Sequence, residues 1–236
     1  NGGLFLLQFA LQDKLEHVFA LWPLQWAERF PFVPVWQLVS YGFLHSTSDV
    51  FHLLYNLLGI YFFGSMLEGL VGSRRYLAWY LAAVALGGVV QLAAGLASQA
   101  NGYTLGASGG VLFLIAACAT LRPDTLVIFI LFPMQLRTLA LILVGVDVFR
   151  LLVGSGGTAY LVHLAGAAMG FSAVRLHWIW IDPLEKLEEQ RAAAVQRGAE
   201  DDARRLDQLL EQIHERGIGS LSKSEKAFLK RMSSRK

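Results

Sequence analysis

Four residues with the chemistry of acyl transfer stand far apart in this chain. Ser108 sits in the run Gly106-Ala107-Ser108-Gly109-Gly110, and His163 opens the run His163-Leu-Ala-Gly166-Ala-Ala-Met-Gly170. His52 and Asn56 are four residues apart, which puts them on one face of a helix. A serine hydroxyl is a weak nucleophile until a base within hydrogen-bond reach takes its proton, and His163 is the candidate base. Gly106 and Gly109 leave the Ser108 N–H open and let a substrate chain come close. His52, Asn56 and the Ser108 N–H can donate to the oxyanion of a tetrahedral intermediate. Losing one such donor typically raises the barrier by about 2.7–4 kcal/mol.

Each of these residues has an ordinary alternative. A serine in a glycine-rich helix start often only packs, a buried histidine often bonds a neighbouring helix, and an asparagine can simply join two helices. Gly166 and Gly170 form a small-xxx-small face whose default role is close helix packing. Close packing is also what would bring His163 to Ser108, so the two readings are compatible. Asp147 is followed three residues later by Arg150, and a local ion pair is expected there. Orientation of a histidine by Asp147 is the alternative, and a Ser108–His163 dyad is the simpler expectation.

The elements that must position these residues are set by composition. Hydrophobic residues make up 55% of the 236, charged residues 16%, and the mean hydropathy is +0.47. A soluble domain of this size carries far more charge. Of the 38 charged residues, 15 lie in positions 1–180 and 23 in the last 56. The chain is therefore expected to divide into a membrane body, 1–180, and a charged helical cytoplasmic tail, 181–236. The formal charge of +2 gives no reason to expect nucleic acid, and the single Cys118 excludes an internal disulfide. Nothing in the pattern calls for a metal or a cofactor. The chain opens without Met or a cleavable signal, and Leu4–Leu11 fits the second half of a span whose first half precedes it.

A span needs about 20 mostly apolar residues. Such runs fall at 1–12 (truncated), 50–68, 75–96, 107–121, 136–153 and 158–180, which predicts an all-α, six-span polytopic bundle. Lys and Arg near the span ends set orientation. Arg74 and Arg75 lie after span two, Arg122 and Arg137 between spans four and five, and Arg175 at the end of span six. Both termini are thus expected in the cytoplasm. Spans two, four and six then run inward, and His52, Asn56, Ser108 and His163 all fall near their outer ends. At 1.5 Å per residue the four share a depth to within roughly 10 Å. Independent packing accidents have no reason to agree in depth.

The segment 12–50 alternates Trp22, Trp26, Phe30, Phe32, Trp36 and Tyr41 with Pro23, Pro31 and Pro34. It suits either an interfacial anchor or a wall around the site. In the tail, Leu206, Leu209, Leu210 and Ile213 recur at helical spacing, Gly217 can end that helix, and Ser222 with Glu225 forms a capping box opening another. No partner for the tail is legible.

With these motifs in this order, the sequence resembles the rhomboid intramembrane serine proteases from about Trp36 to Gly170. Matching pieces are His52-Leu-Leu-Tyr-Asn56, Gly106-Ala-Ser108-Gly109, His163 through Gly170, and the turn Glu68-Gly-Leu-Val-Gly72-Ser73-Arg74. The resemblance implies Ser108 as nucleophile, His163 as general base and acid, and His52 and Asn56 as oxyanion donors. It implies cleavage of single-span membrane proteins near the outer end of their helix, within a lipid bilayer, without metal or cofactor. It further implies that 12–50 lies partly in the membrane and that the loop Gly154–Gly157 caps the site. The tail from Gly217 to Glu225 resembles a cytoplasmic extension of some bacterial members, which points to a bacterial inner membrane. Three departures stand out. Trp36-Gln37 replaces the usual Trp-Arg, His45 and His52 are widely spaced around Ser46–Asp49, and the aromatic four residues after the serine is Leu112. Phe113 is the candidate substitute for that aromatic. A non-catalytic relative that binds or escorts membrane helices is the alternative. A transporter would carry repeated halves with broken helices, and no such repeat is visible.

Overall fold

A computed structural model describes residues 1–11, 14–99, 101–129, 132–154, 159–182 and 184–233. Contacts divide the chain into two units, Asn1–Asp182 and Pro183–Lys236. Nearly all of the first unit's regular structure is helical. It begins with α1 (Gly2–Leu11), α2 (Lys14–Phe19), α3 (Pro23–Glu28) and α4 (Gln37–Ser40), the last running into a 3-10 turn at Tyr41–Phe43. Proline starts α3 where its missing N–H costs nothing.

A nearly continuous helix follows: α5 (Val50–Gly59), a π-helical turn (Ile60–Gly64) and α6 (Ser65–Val71). Gly72, at φ +86°, ends it and opens α7 (Ser73–Ser98). Next come α8 (Ser108–Leu121), a two-stranded antiparallel hairpin of β1 (Leu126–Phe129) and β2 (Phe132–Gln135), α9 (Leu136–Val153) and α10 (Ala159–Arg175). The hairpin is a correction to the all-α expectation. The run Leu126-Val-Ile-Phe129 is β-branched and aromatic, and it pairs with the chain ahead of α9.

Helices occupy all six of the apolar runs, with two adjustments. Two of the helices, Val50–Val71 and Ser73–Ser98, are long and apolar enough to cross a membrane by length and composition, while Gly2–Leu11 and Ser108–Leu121 are apolar but shorter. The last run was expected to continue to residue 180. Its helix stops at Arg175, because His177 turns to a left-handed φ of 62° and Trp178–Trp180 forms a separate 3-10 turn.

The core of this unit surrounds α8. Every residue from Gly109 to Ala119 is buried, so this helix is enclosed on all sides. Its most extensive partner is α10. The reason is glycine: a Cβ on Gly166 would meet the carbonyl oxygen of Gly109, and one on Gly170 would meet that of Phe113. Backbone lies on backbone along this seam. On the other side, a Cβ on Gly88 of α7 would come within 2.5 Å of the Leu38 carbonyl oxygen, so α4 lies directly on α7.

The second unit contains α11 (Glu185–Arg216), a 3-10 turn at Ile218–Ser220 and α12 (Lys223–Ser233). Leu209, Leu221 and Phe228 form its small core, with Leu206 and Ile213 against them. The Ser222 N–H donates to Glu225 Oε2 at 2.7 Å and the Glu225 N–H to Ser222 Oγ at 3.3 Å, a closed capping box. The Ser222 hydroxyl, which donates to Glu225 Oε2 at 2.7 Å, and then the Ser222 N–H hold the Glu225 carboxyl below its ordinary pKa.

Candidate active site

Ser108 is the first residue of α8, so its N–H has no acceptor within the helix. The turn before it depends on Gly106, whose φ of +125° an L side chain rarely adopts. The Gly106 N–H donates to the Tyr41 carbonyl at 3.0 Å, and the Tyr41 hydroxyl donates to the Val84 carbonyl at 2.9 Å. A bridge between Leu21 and Thr104 ties the same loop to the N-terminal segment. Leu21 and Tyr41 thus support the approach to Ser108, which fits the reading of this segment as a wall without bearing on its reading as an interfacial anchor. Gln37 knits this wall together: its Oε1 accepts from Trp26 Nε1 at 3.0 Å, and its Nε2 donates to the Val18 carbonyl at 3.2 Å. Gln37, noted above as a departure from the Trp-Arg of the resemblance, therefore has a clear structural role of its own.

His163 lies on α10, three residues before the Gly166 contact. Its Nε2 is 2.7 Å from Ser108 Oγ, although 55 residues separate the two in sequence. The opposite ring nitrogen, Nδ1, is 3.1 Å from Asp147 Oδ2 on α9. This corrects the expected Asp147–Arg150 pair. Asp147 continues the inward stripe of Leu136, Leu139 and Leu143, whereas the Arg150 guanidinium lies over the Tyr160 ring, 5.6 Å from its centre. Phe113 also departs from expectation. It is fully buried and stacks on Trp79 at 6.5 Å, so it does not replace the missing aromatic; the ring beside His163 is Tyr160, edge-on at 6.5 Å. Leu112 packs with Ala116 and Ala167 between α8 and α10.

His52 comes to the same spot from α5. Asp49 caps that helix by accepting the His52 N–H at 3.1 Å. A Cβ on Gly106 would lie 2.8 Å from His52 Cε1, 3.0 Å from its Nε2 and 4.0 Å from Ser108 Oγ, so Gly106 leaves the space between imidazole and hydroxyl open. Asn56 is buried one turn further on and donates from Nδ2 to the His52 carbonyl at 2.8 Å, leaving its second N–H available. A cavity of about 400 Å³ opens beside His52, lined in part by Ser46, Thr47, Ser48, Thr104 and Ala159. Behind it, the His45 ring lies 5.4 Å from that of His52 and is fully buried. Of the loop Gly154–Gly157, residues 155–157 lie outside the described residues.

Ser108, His163 and His52 come together at one end of α5, α8 and α10, and Asn56 is buried one turn along α5 from His52. Gly106 and Gly109 flank the serine, and Gly166 and Gly170 allow the close approach of α10 to α8. A hydroxyl at 2.7 Å from an imidazole, with a carboxylate behind the ring, is an arrangement able to move a proton off the hydroxyl.

Comparison with known proteins bears on the same region. The family model described as Rhomboid domain matches residues 34–179, and a model for a family of unknown function matches residues 200–235. The bovine mitochondrial presenilin-associated rhomboid-like protein is 26% identical over 197 residues, covering 77% of this chain and 52% of the relative. RHOMBOID-like protein 12, mitochondrial, of Arabidopsis thaliana is 30% identical over 148 residues, 56% of this chain and 43% of its own. Rhomboid protease GlpG of Klebsiella pneumoniae is 26% identical over 174 residues, 72% and 57% respectively. The chain spans about half the length of the curated relatives it matches.

Proposed function

The chain belongs to the rhomboid family and is a membrane protein, and on that premise we propose that it is an intramembrane serine endopeptidase acting on single-span membrane proteins. The observation that carries this reading is the 2.7 Å approach of His163 Nε2 to Ser108 Oγ. Substrate helices enter sideways from the bilayer and unwind near the outer end, where a carbonyl released from its helical hydrogen bond becomes open to attack. Ser108 Oγ adds to that carbonyl while His163 takes its proton. The oxyanion receives hydrogen bonds from His52, Asn56 and the Ser108 N–H. His163 then protonates the leaving amine, and water hydrolyses the acyl-enzyme. The polar cavity beside His52 suits the supply of that water.

The six-span bundle is part of the proposal. A 14-residue α8 covers about 21 Å, less than the roughly 30 Å of hydrocarbon. Reaching the inner face, such a helix begins partway down, which supports a Ser108 below the outer surface. Cytoplasmic termini rest on the distribution of Lys and Arg, and a bacterial cell membrane on the tail's resemblance to bacterial extensions; the relatives named above include mitochondrial proteins too.

Purified protein incubated with a panel of labelled single-span helices should cleave at least one of them near its outer end. Ser108→Ala and His163→Ala should each abolish that cleavage while the protein stays folded. Cleavage retained in either variant refutes the assignment. A protein that binds such helices yet cleaves none would be the non-catalytic escort.

A further inference from the structure

Three features outside the proposed dyad remain: the buried His45, the polar cavity beside His52, and Asp147. The last connects most directly to chemistry. We propose that Asp147 is a positioning residue that makes the site a Ser108–His163–Asp147 triad; this rests on the protease reading above and goes beyond its dyad.

Three observations converge. The two nitrogens of one imidazole face two different partners, Ser108 Oγ at 2.7 Å and Asp147 Oδ2 at 3.1 Å. An ionised carboxylate only accepts hydrogen bonds, so Nδ1 carries the proton in the neutral ring. Nε2 is then left with its lone pair toward the Ser108 hydroxyl, the tautomer that a base requires. Asp147 is also 8% exposed on the mostly apolar helix α9, where a buried ionisable group without a partner is costly. Its side chain is turned to His163, and it reaches that ring by continuing the buried stripe of Leu136, Leu139 and Leu143. Finally, the one aromatic ring against His163 among the described residues, Tyr160, meets it only edge-on at 6.5 Å, while Phe113 stacks on Trp79. The carboxylate is the polar group that fixes the orientation of the ring.

In the reaction, the proton moves from Ser108 Oγ to His163 Nε2 as the Oγ–carbon bond forms. Asp147 stays ionised throughout and stabilises the imidazolium. An amide in its place donates to Nδ1 and drives the ring proton to Nε2, where it blocks acceptance from serine.

The test uses the full chain in detergent or lipid, and a model single-span substrate. Asp147→Asn should lower kcat by about 10³–10⁴-fold, with KM within about threefold and the melting temperature unchanged. Asp147→Glu, which keeps the charge, should recover part of the loss. Labelling by a fluorophosphonate should slow in parallel. An Asp147→Asn enzyme within about threefold of the parent kcat, beside an inert Ser108→Ala, would overturn the triad and leave the protease reading standing. Activity in Ser108→Ala would instead remove the protease reading. If Asp147→Asn does not fold, ¹⁵N NMR of histidine-labelled parent protein decides. His163, assigned by its loss in His163→Ala, should be the Nδ1–H tautomer, and a neutral Nε2–H ring would refute the proposal.

Discussion

Residue by residue, the polar side chains set into apolar runs carried most of what the sequence could say. Ser108, His163, His52 and Asn56 were legible because each stands out chemically from its surroundings and because helix rise converts sequence position into depth. Asp147 obeys the same depth rule. It lies six residues before Val153 at the end of α9, about 9 Å, and His163 lies four residues after Ala159 at the start of α10, about 6 Å. What hid it was Arg150, an equally good partner by spacing alone. Local spacing names possible neighbours, but only packing decides that Arg150 turns to Tyr160. His45 was noted only for its spacing from His52. It is fully buried, neither ring nitrogen has a geometric hydrogen-bond partner among the described residues, and its backbone is held by Gln8 at 3.0 Å on either side. Burial, reinforced by the neighbouring His52, lowers its pKa from 6.5 to about 4. A base whose folded pKa is depressed is stable in its neutral form. Stability from this group is therefore complete above pH 6.5 and is lost as pH falls from 6.5 toward 4. Thermal unfolding between pH 7.5 and 4 should follow that slope, and His45→Asn should flatten it. An equal slope in the variant would exclude His45 as the source.

At the scale of elements, apolar runs located the helices well, since length and hydropathy are all that such a search needs. Two features escaped it. The hairpin of β1 and β2 lies in a stretch without alternating polarity, so no period of two marks it. The helix expected to reach residue 180 ends at a left-handed His177, a backbone choice that hydropathy does not register. The seam between α8 and α10 was legible as a small-xxx-small face, but its consequence is sharper than close packing. Gly166 rests on the Gly109 carbonyl, one residue after Ser108 and three after His163. Gly166→Ala must push the two helices apart at the place where hydroxyl and imidazole meet. A displacement near 1 Å is enough to cost about 10²-fold in rate. Cleavage by Gly166→Ala should fall by at least that factor, with a lower melting temperature. Near-parental cleavage would mean that the seam does not set the distance between nucleophile and base.

Across the whole molecule, the uneven distribution of charge suggested a membrane body and a separate tail, and the Rhomboid domain match falls within the first 180 residues. Hydropathy and length single out two helices long and apolar enough to cross, Val50–Val71 and Ser73–Ser98. Gly2–Leu11 and Ser108–Leu121 are apolar but shorter, and α9 carries Arg137, Asp147 and Arg150, so the six-span arrangement belongs to the proposal. Its topology has a direct check. In a Cys118→Ala background, single cysteines placed by Ser48→Cys and Ser98→Cys should react with an impermeant thiol reagent from one side of sealed vesicles. Ser220→Cys should react from the other. Labelling of all three from one face would contradict the arrangement.

The central claim is that Ser108 is a nucleophile activated by His163. Its most direct measurement is mass-spectrometric mapping of the folded protein after treatment with a fluorophosphonate. A single adduct on Ser108, lost in His163→Ala although the hydroxyl remains, is the predicted result. An unmodified Ser108, or equal modification with and without His163, would contradict the account.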